Sequence, residues 1–282
     1  MAVVQPRPAG GRLDSEENTA RAAAILRGLA GLEPDLVVFP EYFPFHEARV
    51  FLDAVRDLGA YVVAGVAYRL GGSLYNTATV YRPDGSVAAR QGKRYVGRLE
   101  RRLWGFEGWR GEPVVVDVGF ARLGVGVCAD FWSIPELALE LFLGGADVLV
   151  NPAYMFSLHR HWLTANISRA LDFYVPVLGA DLASFPMRTR RYTFTGGGWS
   201  HAIVPPSSEE EYLAWWESGA ESAEAWVRLR LGEGEDVGVV DVDVEGVSRL
   251  RRDWWERMRG VGLDEWLATA RARHAAARLV KA

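Results

Sequence analysis

The stretch Leu123-Gly-Val-Gly-Val-Cys128-Ala-Asp130 decides the fold class, because it is an apolar run that ends in reactive and charged side chains. Runs that are apolar on both faces are typical of strands buried between two layers. Cys128 would then lie where the strand leaves the sheet, which is the edge at which α/β folds place their sites. A second run, Asp35-Leu-Val-Val-Phe-Pro-Glu41, has the same form: an apolar strand, a proline that stops it, and a carboxylate.

Outward from these two runs, short strand-like segments alternate with longer helical segments along most of the chain. The strand candidates are rich in Val, Ala and Tyr, and the helical candidates carry apolar residues at helical spacing. This alternation predicts an α/β layered fold in a single domain over residues 1–282. The predicted strands are 2–5, 35–39, 61–68, 76–82, 113–118, 123–128, 147–151, 176–180, 199–204 and 237–244, and the predicted helices are 15–29, 46–58, 135–143, 158–172 and 263–279.

Residues 205–236 interrupt this alternation. The segment opens with Pro-Pro-Ser-Ser and continues into the acidic run Glu209-Glu-Glu211. Prolines and serines of this kind favour a turn followed by a new helix start. We predict an inserted helix and loop that serves as a lid or as an interface element.

Composition excludes several classes of protein. The chain has 282 residues, a formal net charge of −4 and a single Cys, so an internal disulfide framework and a Cys-based zinc finger are both excluded. The negative charge gives no general attraction to nucleic acid or to an anionic membrane. The longest uncharged apolar stretch, 60–68, is far shorter than the roughly 20 residues that span a bilayer. We therefore expect a cytoplasmic protein with a reduced thiol and with neither nucleic acid nor a membrane as partner.

Glu41, Lys93 and Cys128 each follow a strand-like run, and each has an ordinary explanation when taken singly. A free Cys is among the residue types most often buried. Glu41 could be a solvated carboxylate or a helix cap, and Lys93 could be a solvated residue on an edge strand. The arginines within residues 188–191 also have two interpretations: they could belong to a solvated loop, or they could bind a substrate carboxylate.

Further motifs accompany Glu41, Lys93 and Cys128 along most of the chain. In order, the motifs are Asn18 in the first predicted helix, the 35–41 run, Asn76-Thr77-Ala78 with the Asp84-Gly85 turn, Lys93, the 123–130 run, Pro135-Glu136, the 145–152 run and Ser168-Arg169-Ala170. Each motif is weak alone, but their order and spacing are specific. Taken together and in this order, they resemble the nitrilase, or carbon–nitrogen hydrolase, superfamily, and the resemblance covers most of the chain.

The resemblance implies an αββα sandwich and a Glu-Lys-Cys triad that requires neither a metal nor a cofactor. In this interpretation Glu41 is the general base and Cys128 is the nucleophile. Lys93 stabilises the oxyanion, helped by the backbone N–H of Cys128 or Ala129. The chemistry is consistent with general principles, because a thiol needs a base and a nearby cation to become a good nucleophile at neutral pH.

The family often has a further glutamate soon after the lysine, which orients the site. We assign this role to Glu100, with Glu107 as the rival, because the segment between Lys93 and Gly111 matches the family pattern poorly. Pro135 and its following glutamate also come one residue later than the family usually has them, so the adjoining wall of the pocket is expected to differ.

The substrate expected from the resemblance is a small non-peptide amide or carbamoyl compound, cleaved through a cysteine thioester. We expect Ala129, Trp132 and Tyr154 to bind it, since they flank the predicted site, and further nearby aromatics such as Trp104, Phe106 and Phe156 could line an apolar pocket.

Two other functions remain open at this point. One is a nitrile hydrolase that uses the same three residues. The other is a catalytically silent family member that acts as a binding or interaction protein, for which the shifted Pro135 and the acidic segment leave room. The resemblance also implies a homodimer or a larger homo-oligomer.

Overall fold

The computed structural model describes residues 1–156, 158–188, 193–218 and 223–282, and it confirms the α/β class. The strands in these residues are β1 Ala2–Gln5, β2 Leu36–Val38, β3 Pro44–Phe45, β4 Tyr61–Leu70, β5 Ser73–Tyr81, β6 Val87–Gly92, β7 Val114–Asp117, β8 Arg122–Val125, β9 Val148–Pro152, β10 Val177–Ala180, β11 Phe185–Arg188, β12 Thr193–Gly196, β13 His201–Ile203, β14 Val227–Arg230, β15 Asp236–Val239 and β16 Arg278–Lys281.

The helices connect these strands and cover the outside of the sheets. They are α1 Glu17–Gly28, α2 Arg49–Leu58, α3 Arg98–Trp104, α4 Ala129–Trp132, α5 Pro135–Leu143, α6 His159–Phe173, α7 Glu209–Glu217, α8 Val244–Arg259 and α9 Leu263–Arg271. Within the described residues, no helix is both long enough and apolar enough to pass through a membrane.

The strands form two seven-stranded sheets and one small hairpin within the described residues. The first sheet has the order β15-β1-β2-β4-β5-β6, with β3 beside β4, and the second has the order β14-β13-β10-β9-β8-β7-β16. Strands β11 and β12 pair separately as an antiparallel hairpin. The centre of each sheet is parallel, since β1 pairs with β2 and β8 pairs with β9 in that sense.

The alternation of side chains along the central strands explains why the sheets stack face to face. Val3 and Val38 are fully buried in the core that also contains the second sheet, whereas Ala2 and Val37 are buried in the core beneath α1 and α2. A strand exposes successive side chains to opposite faces, so a run that is apolar at every position must be covered on both sides. Helices α5 and α6 cover the far face of the second sheet, which completes the αββα sandwich.

This topology brings four predicted site segments to one edge of the sandwich. Glu41 follows β2, Lys93 follows β6, Cys128 follows β8 and Tyr154 follows β9. Strand β6 runs in the same direction as β4, because β5 is antiparallel to both. All four residues therefore lie beyond the carboxyl ends of their strands, which is where α/β folds assemble sites.

Several predicted boundaries differ from those in the structure. The strand predicted at 123–128 ends at Val125, and Cys128 lies in the turn that follows. The helix predicted at 263–279 ends at Arg271, because 278–281 pair with β7 as an additional parallel strand. That pairing is a long-range contact, which periodicity within 263–279 does not reveal.

The strand predicted at 237–244 is also too long, since it ends at Val239. Helix α8, which was not predicted, follows this strand. It begins after the cap Asp243, whose side chain accepts a hydrogen bond from the backbone N–H of Gly246. Its buried face carries Leu250 and Trp254 at helical spacing, so the pattern was present in the sequence.

The acidic segment 205–236 contains the predicted helix and also part of a sheet. Ser208 caps α7 by accepting a hydrogen bond from the backbone N–H of Glu211, at 3.2 Å. Further along, β14 pairs antiparallel with β13 and forms one edge of the second sheet. The segment is therefore partly integrated into the sandwich rather than only a loop added to it.

Candidate active site

A cavity of about 390 Å³ opens at the edge of the sandwich, and Glu41, Lys93, Glu100 and Cys128 share its wall. The structure thus brings together residues that are far apart in the sequence. Each of the seven residues selected from the sequence lines this one cavity; the other three are Ala129, Trp132 and Tyr154.

Glu41 is held in place by three hydrogen bonds. Its Oε1 accepts from Asn76 Nδ2 at 2.7 Å and from Lys93 Nζ at 2.9 Å, and its Oε2 accepts from the backbone N–H of Tyr154 at 3.0 Å. The side chain is only 1% exposed. Its carboxylate therefore has a fixed position, and its acceptor sites are directed by the surrounding protein rather than by solvent.

The close approach of β4 explains how the chain can turn after Glu41. A Cβ atom added at Gly65 would collide with the backbone of Pro40, Glu41 and Tyr42. Tyr42 itself has a φ of 65°, in the left-handed region that non-glycine residues rarely adopt. Only glycine at position 65 of β4 leaves room for the turn that directs the Glu41 side chain into the cavity.

Glu100 lies on the other side of Lys93. Its Oε1 accepts a hydrogen bond from Lys93 Nζ at 3.0 Å and another from the hydroxyl of Tyr42, and its Oε2 accepts from the backbone N–H of Gly97 at 2.7 Å. Helix α3 presents Glu100 in its first turn, close to the lysine. Glu107 is exposed and lies outside the lining of the cavity, so the geometry favours Glu100 over its rival.

Cys128 lies in a tight turn between β8 and α4. Its φ is 46° and its ψ is −121°, which is an uncommon conformation for a non-glycine residue. The turn is secured by the Cys128 N–H, which donates to Pro152 O at 2.8 Å, and by the side chain of Asn151, which donates to Gly126 O at 2.7 Å. Strained backbone of this kind is found at functional sites, where the surroundings hold it in place.

Asp130 connects the cysteine turn to the segment that follows Lys93. Its carboxylate accepts hydrogen bonds from the backbone N–H groups of Arg94 and Tyr95, the latter at 3.1 Å. The Cys128 turn and the segment after Lys93 are thereby fixed relative to each other.

Burial and neighbouring charges shift the titration of the cluster. Burial raises the pKa of Glu41, although Lys93 opposes the shift. Burial and the adjacent Glu41 charge also raise the pKa of the Cys128 thiol. Burial alone would lower the pKa of Lys93, but Glu41, Cys128 and Glu100 together raise it well above its ordinary value. Burial alone would raise the pKa of Glu100, but the charge of Lys93 lowers it below its ordinary value.

These directions define the resting protonation state. The thiol keeps its proton, the lysine is charged, and Glu100 is ionised beside the lysine. Glu41 is the acceptor whose basicity is increased by burial, so a proton leaving Cys128 has a nearby carboxylate to receive it. The arrangement can therefore support attack by sulfur that is coupled to proton transfer, without a preformed thiolate.

A second buried acid supports the cavity wall from behind. Asp181 Oδ1 accepts hydrogen bonds from the backbone N–H groups of Met155 at 3.1 Å and Leu182 at 2.7 Å. Consecutive amides, those of Tyr154 and Met155, are thus bound by Glu41 and Asp181. Burial raises the pKa of Asp181 well above its ordinary value.

The remaining wall of the cavity is mostly apolar, as the aromatic residues near the motifs suggested. Phe106 is the exception, because it packs behind the cavity against Tyr42, with ring centroids 6.1 Å apart. The apolar wall residues are Leu99, Trp104, Trp132, Met155, Phe156 and Leu158.

Sequence reasoning assigned no role to Tyr42, Asn76 or Asp181, although the first two contact the central carboxylates. Tyr42 directly follows Glu41, and Asn76 belongs to a quoted motif, so position offered a signal for both. No feature of the sequence pointed to a role for Asp181. Of the arginines at 188–191, Arg190 and Arg191 lie outside the described residues, as does the Arg188 side chain. Among the described residues, no group of three or more His, Cys, Asp or Glu side chains is placed to hold a metal ion.

Comparison with known proteins defines the class. The family model described as carbon-nitrogen hydrolase matches residues 1–252. The chain therefore belongs to the carbon–nitrogen hydrolase family, and it is an enzyme of that class.

Two curated relatives illustrate the range of this family. A nitrilase from Pyrococcus abyssi (strain GE5 / Orsay) is 35% identical over 177 residues, which cover 54% of this chain and 64% of that protein. The match thus spans less than two thirds of that nitrilase. The omega-amidase NIT2 of Danio rerio is 25% identical over 261 residues, which cover 84% of this chain and 86% of that protein.

Solved structures share the fold. A carbon–nitrogen hydrolase from Helicobacter pylori G27 superposes with a TM-score of 0.73 and 17% identity, covering 95% of this chain and 96% of that chain. A variant of the Nesterenkonia AN1 amidase, from the nitrilase superfamily, superposes with a TM-score of 0.67 and 17% identity, covering 90% of this chain and 96% of that chain. The predicted nitrilase-like αββα sandwich is confirmed.

Proposed function

We propose that this protein is an amidase that hydrolyses the C–N bond of a small non-peptide amide through a thioester on Cys128. The observation that carries the proposal is the convergence of Cys128, Glu41, Lys93 and Glu100 on one cavity, with Lys93 hydrogen-bonded to both carboxylates. Omega-amidase relatives that align over most of the chain support an amide rather than another C–N substrate.

In the first step, the Cys128 sulfur attacks the carbonyl carbon of the amide while Glu41 accepts the thiol proton. The raised pKa of Glu41 improves it as a base, and the raised pKa of the thiol makes this proton transfer necessary. A new C–S bond forms, and the carbonyl π electrons move onto the oxygen.

The developing oxyanion needs donors that are already in position. Lys93 is one, because it is charged and fixed between two carboxylates. Of the two backbone groups considered, the Cys128 N–H is already bound to Pro152 O. Ala129 is the first residue of α4, so its N–H lacks an acceptor within the helix and is the better second donor. Each such donor contributes roughly 10²- to 10³-fold to the rate.

Collapse of the tetrahedral species breaks the C–N bond. Glu41 returns its proton to the departing nitrogen, so ammonia or an amine leaves as a neutral molecule. Glu41 then takes a proton from water as that water attacks the thioester carbon. The C–S bond breaks, Glu41 passes this proton to the sulfur, and the thiol is regenerated as the acid departs. One water is consumed per amide, and no external oxidant or reductant takes part.

The direct test uses Cys128→Ala with a panel of amides, carbamoyl compounds and nitriles. The proposal predicts that the variant folds like the wild type and loses turnover of every substrate the wild type hydrolyses. Wild-type turnover by the variant would contradict the mechanism.

Nitrile hydrolysis is the second candidate, and the 35% identity to the Pyrococcus abyssi nitrilase favours it. It would use the same residues, with the nitrile carbon attacked by Cys128. Ammonia release from nitriles but not from the corresponding amides would select it. The silent-member alternative loses support because Cys128 lines an open cavity beside a base and a cation. Assembly as a homodimer or a larger homo-oligomer and a cytoplasmic location stay predictions, testable by sedimentation and by fractionation.

A further inference from the structure

We infer that the substrate is the amide of an apolar carboxylic acid, with an uncharged aliphatic or aromatic acyl group seated against the aromatic wall of the cavity. This inference rests on the proposed amidase function and adds the class of acyl group.

The wall beyond the reacting groups offers mainly hydrocarbon and ring surface. Trp104, Trp132 and Phe156 contribute aromatic faces, and Leu99 and Leu158 contribute aliphatic ones. The volume of about 390 Å³ accommodates more than the acyl group of acetamide. An acyl chain that fills this space removes apolar surface from water on both sides of the contact.

The cations of the cavity do not favour a charged acyl group. Lys93 is already bound to Glu41 and Glu100, at 2.9 and 3.0 Å, so its charge is compensated inside the cavity. Arg98 also lines the cavity, and within the described residues no carboxylate lies at ion-pair distance from it. However, Arg98 is solvent-exposed, so water screens its charge.

Magnitudes decide between the two kinds of acyl group. An exposed ion pair with Arg98 contributes at most about five-fold in affinity. Each buried methylene contributes about four-fold, and a buried ring about 10- to 100-fold. A carboxylate placed among the rings would in addition lose its hydration. The buried wall groups that have no hydrogen-bond partner in the described residues, Trp132 Nε1 and the Tyr154 hydroxyl, are neutral donors and do not compensate its charge. The apolar acyl group is therefore favoured.

The test compares kcat/KM of the whole protein for a matched series of amides. The series is acetamide, butanamide, hexanamide and 3-phenylpropanamide, with adipamate as the charged counterpart of hexanamide. We expect kcat/KM to rise by up to about four-fold per methylene until the cavity is filled. We also expect hexanamide to exceed adipamate by at least about ten-fold. A flat series, or a preference for adipamate, would overturn the inference.

Paired variants show whether the wall causes the selectivity. Leu158 lines the cavity and is 45% exposed, whereas Leu213 on α7 lies outside the cavity lining and is 46% exposed. Leu158→Ala is expected to lower the kcat/KM ratio of hexanamide to acetamide, and Leu213→Ala to leave it unchanged. Trp104→Ala and Trp216→Ala form a second pair with the same expectation. Equal ratios in both members of each pair would contradict the assignment.

Protection of Cys128 separates failure of this inference from failure of the proposed function. Cys128 is the only cysteine of the chain, so alkylation by iodoacetamide reports on the cavity alone. Hexanamide is expected to slow alkylation more than adipamate even if no amide is turned over. Better protection of Cys128 by adipamate would refute the apolar substrate class. If hexanamide protects Cys128 but no amide is hydrolysed, only the proposed amidase function is refuted.

Discussion

The two ends of the neighbouring strands β8 and β9 carry charged clusters of opposite character. At the amino ends, Asp147 accepts hydrogen bonds from Arg122 at 2.8 and 3.0 Å and from Arg251 at 3.1 Å. Burial opposes ionisation there, but the two arginines hold the pKa of Asp147 below its ordinary value. At the carboxyl ends, the turn of Cys128 faces two carboxylates and one lysine.

The difference lies in the balance of charge and burial. One acid between two guanidinium groups is stabilised in its ionised form, so that end of the sheet contributes to stability. Two acids that share Lys93, one of them nearly fully buried, leave Glu41 with a raised pKa. Carboxylates whose pKa is raised by burial are enriched at sites of chemistry, whereas a carboxylate whose pKa is lowered by two arginines is typical of a structural ion pair. The following substitutions test this distinction, in decreasing order of the effect that we expect.

Replacing Glu41 by glutamine is expected to have the largest effect. The variant keeps the size of the side chain but cannot accept the thiol proton, so kcat should fall by roughly 10²- to 10⁴-fold. The measurement is steady-state ammonia release, with the thermal midpoint as a check on folding. The matched control is Glu107→Gln, whose exposed carboxylate lies outside the cavity lining and whose loss should leave kcat unchanged. A folded Glu41→Gln protein with wild-type kcat would contradict its assignment as the base.

Replacing Asp147 by asparagine should affect stability and spare catalysis. The change leaves the guanidinium groups of Arg122 and Arg251 without their anionic partner. Full burial would cost about 3–5 kcal/mol, and the partial exposure of Arg122 reduces the expected loss to roughly 1–3 kcal/mol. Urea unfolding measures it, and kcat should match the wild type. A large fall in kcat at unchanged stability would mean that the two ends are not separate in function.

Tyr42→Phe removes one hydrogen bond to Glu100 and should have a moderate effect. The lost bond is charge-assisted and weakens the hold of Glu100 on Lys93, so kcat/KM should fall by about 3- to 10-fold. In the variant, Glu100 Oε1 still accepts hydrogen bonds from Lys93 and Asn76, which limits the fall in kcat/KM. Tyr95→Phe is the control, because Tyr95 is 53% exposed. Equal kinetics in the two variants would show that Tyr42 has no role in positioning Glu100.

Asp181→Asn should produce the smallest change, a gain in stability that depends on pH. The native pKa of Asp181 is raised, so the native state binds a proton more tightly than the unfolded chain, and stability falls as pH rises through the window above 3.8. Asparagine removes this penalty and keeps an acceptor for Met155. We expect the thermal midpoint to rise by roughly 2–4 °C at pH 8.

The gain from Asp181→Asn should shrink as the pH is lowered towards 4. Asp253→Asn, at an exposed aspartate on α8, is the control and should leave the midpoint unchanged at both pH values. A gain that is the same at pH 4 and pH 8 would contradict a buried, ionisable Asp181.

Much of this contrast was predictable from the sequence because strand ends are local features. The apolar runs before Glu41 and Cys128 indicated two strands that lead to the site, although the second strand ends at Val125 and not at Cys128. The order of the motifs indicated the family and its sandwich. The choice between Glu100 and Glu107 was not accessible in this way, because it depends on α3, which places Glu100 in its first turn beside Lys93.

Long-range pairing and buried support also escaped prediction. Strand β16 exists because β7 offers it a partner, and α8 was overlooked although its capping residue and apolar face were visible. Asp181 holds an amide 26 positions earlier, at Met155, and no local pattern reports such a contact. Sequence therefore locates chemistry at strand ends, and the structure adds the groups that hold that chemistry in place.

The most direct test of the central claim is the intact mass of the protein, acid-quenched while it turns over a hydrolysed amide with and without hydroxylamine. A thioester intermediate predicts a mass increase equal to the acyl group, located on the peptide that contains Cys128, and formation of the corresponding hydroxamate. Cys128→Ala should give neither product. Continued turnover with an unmodified chain and no hydroxamate would contradict a thioester on Cys128.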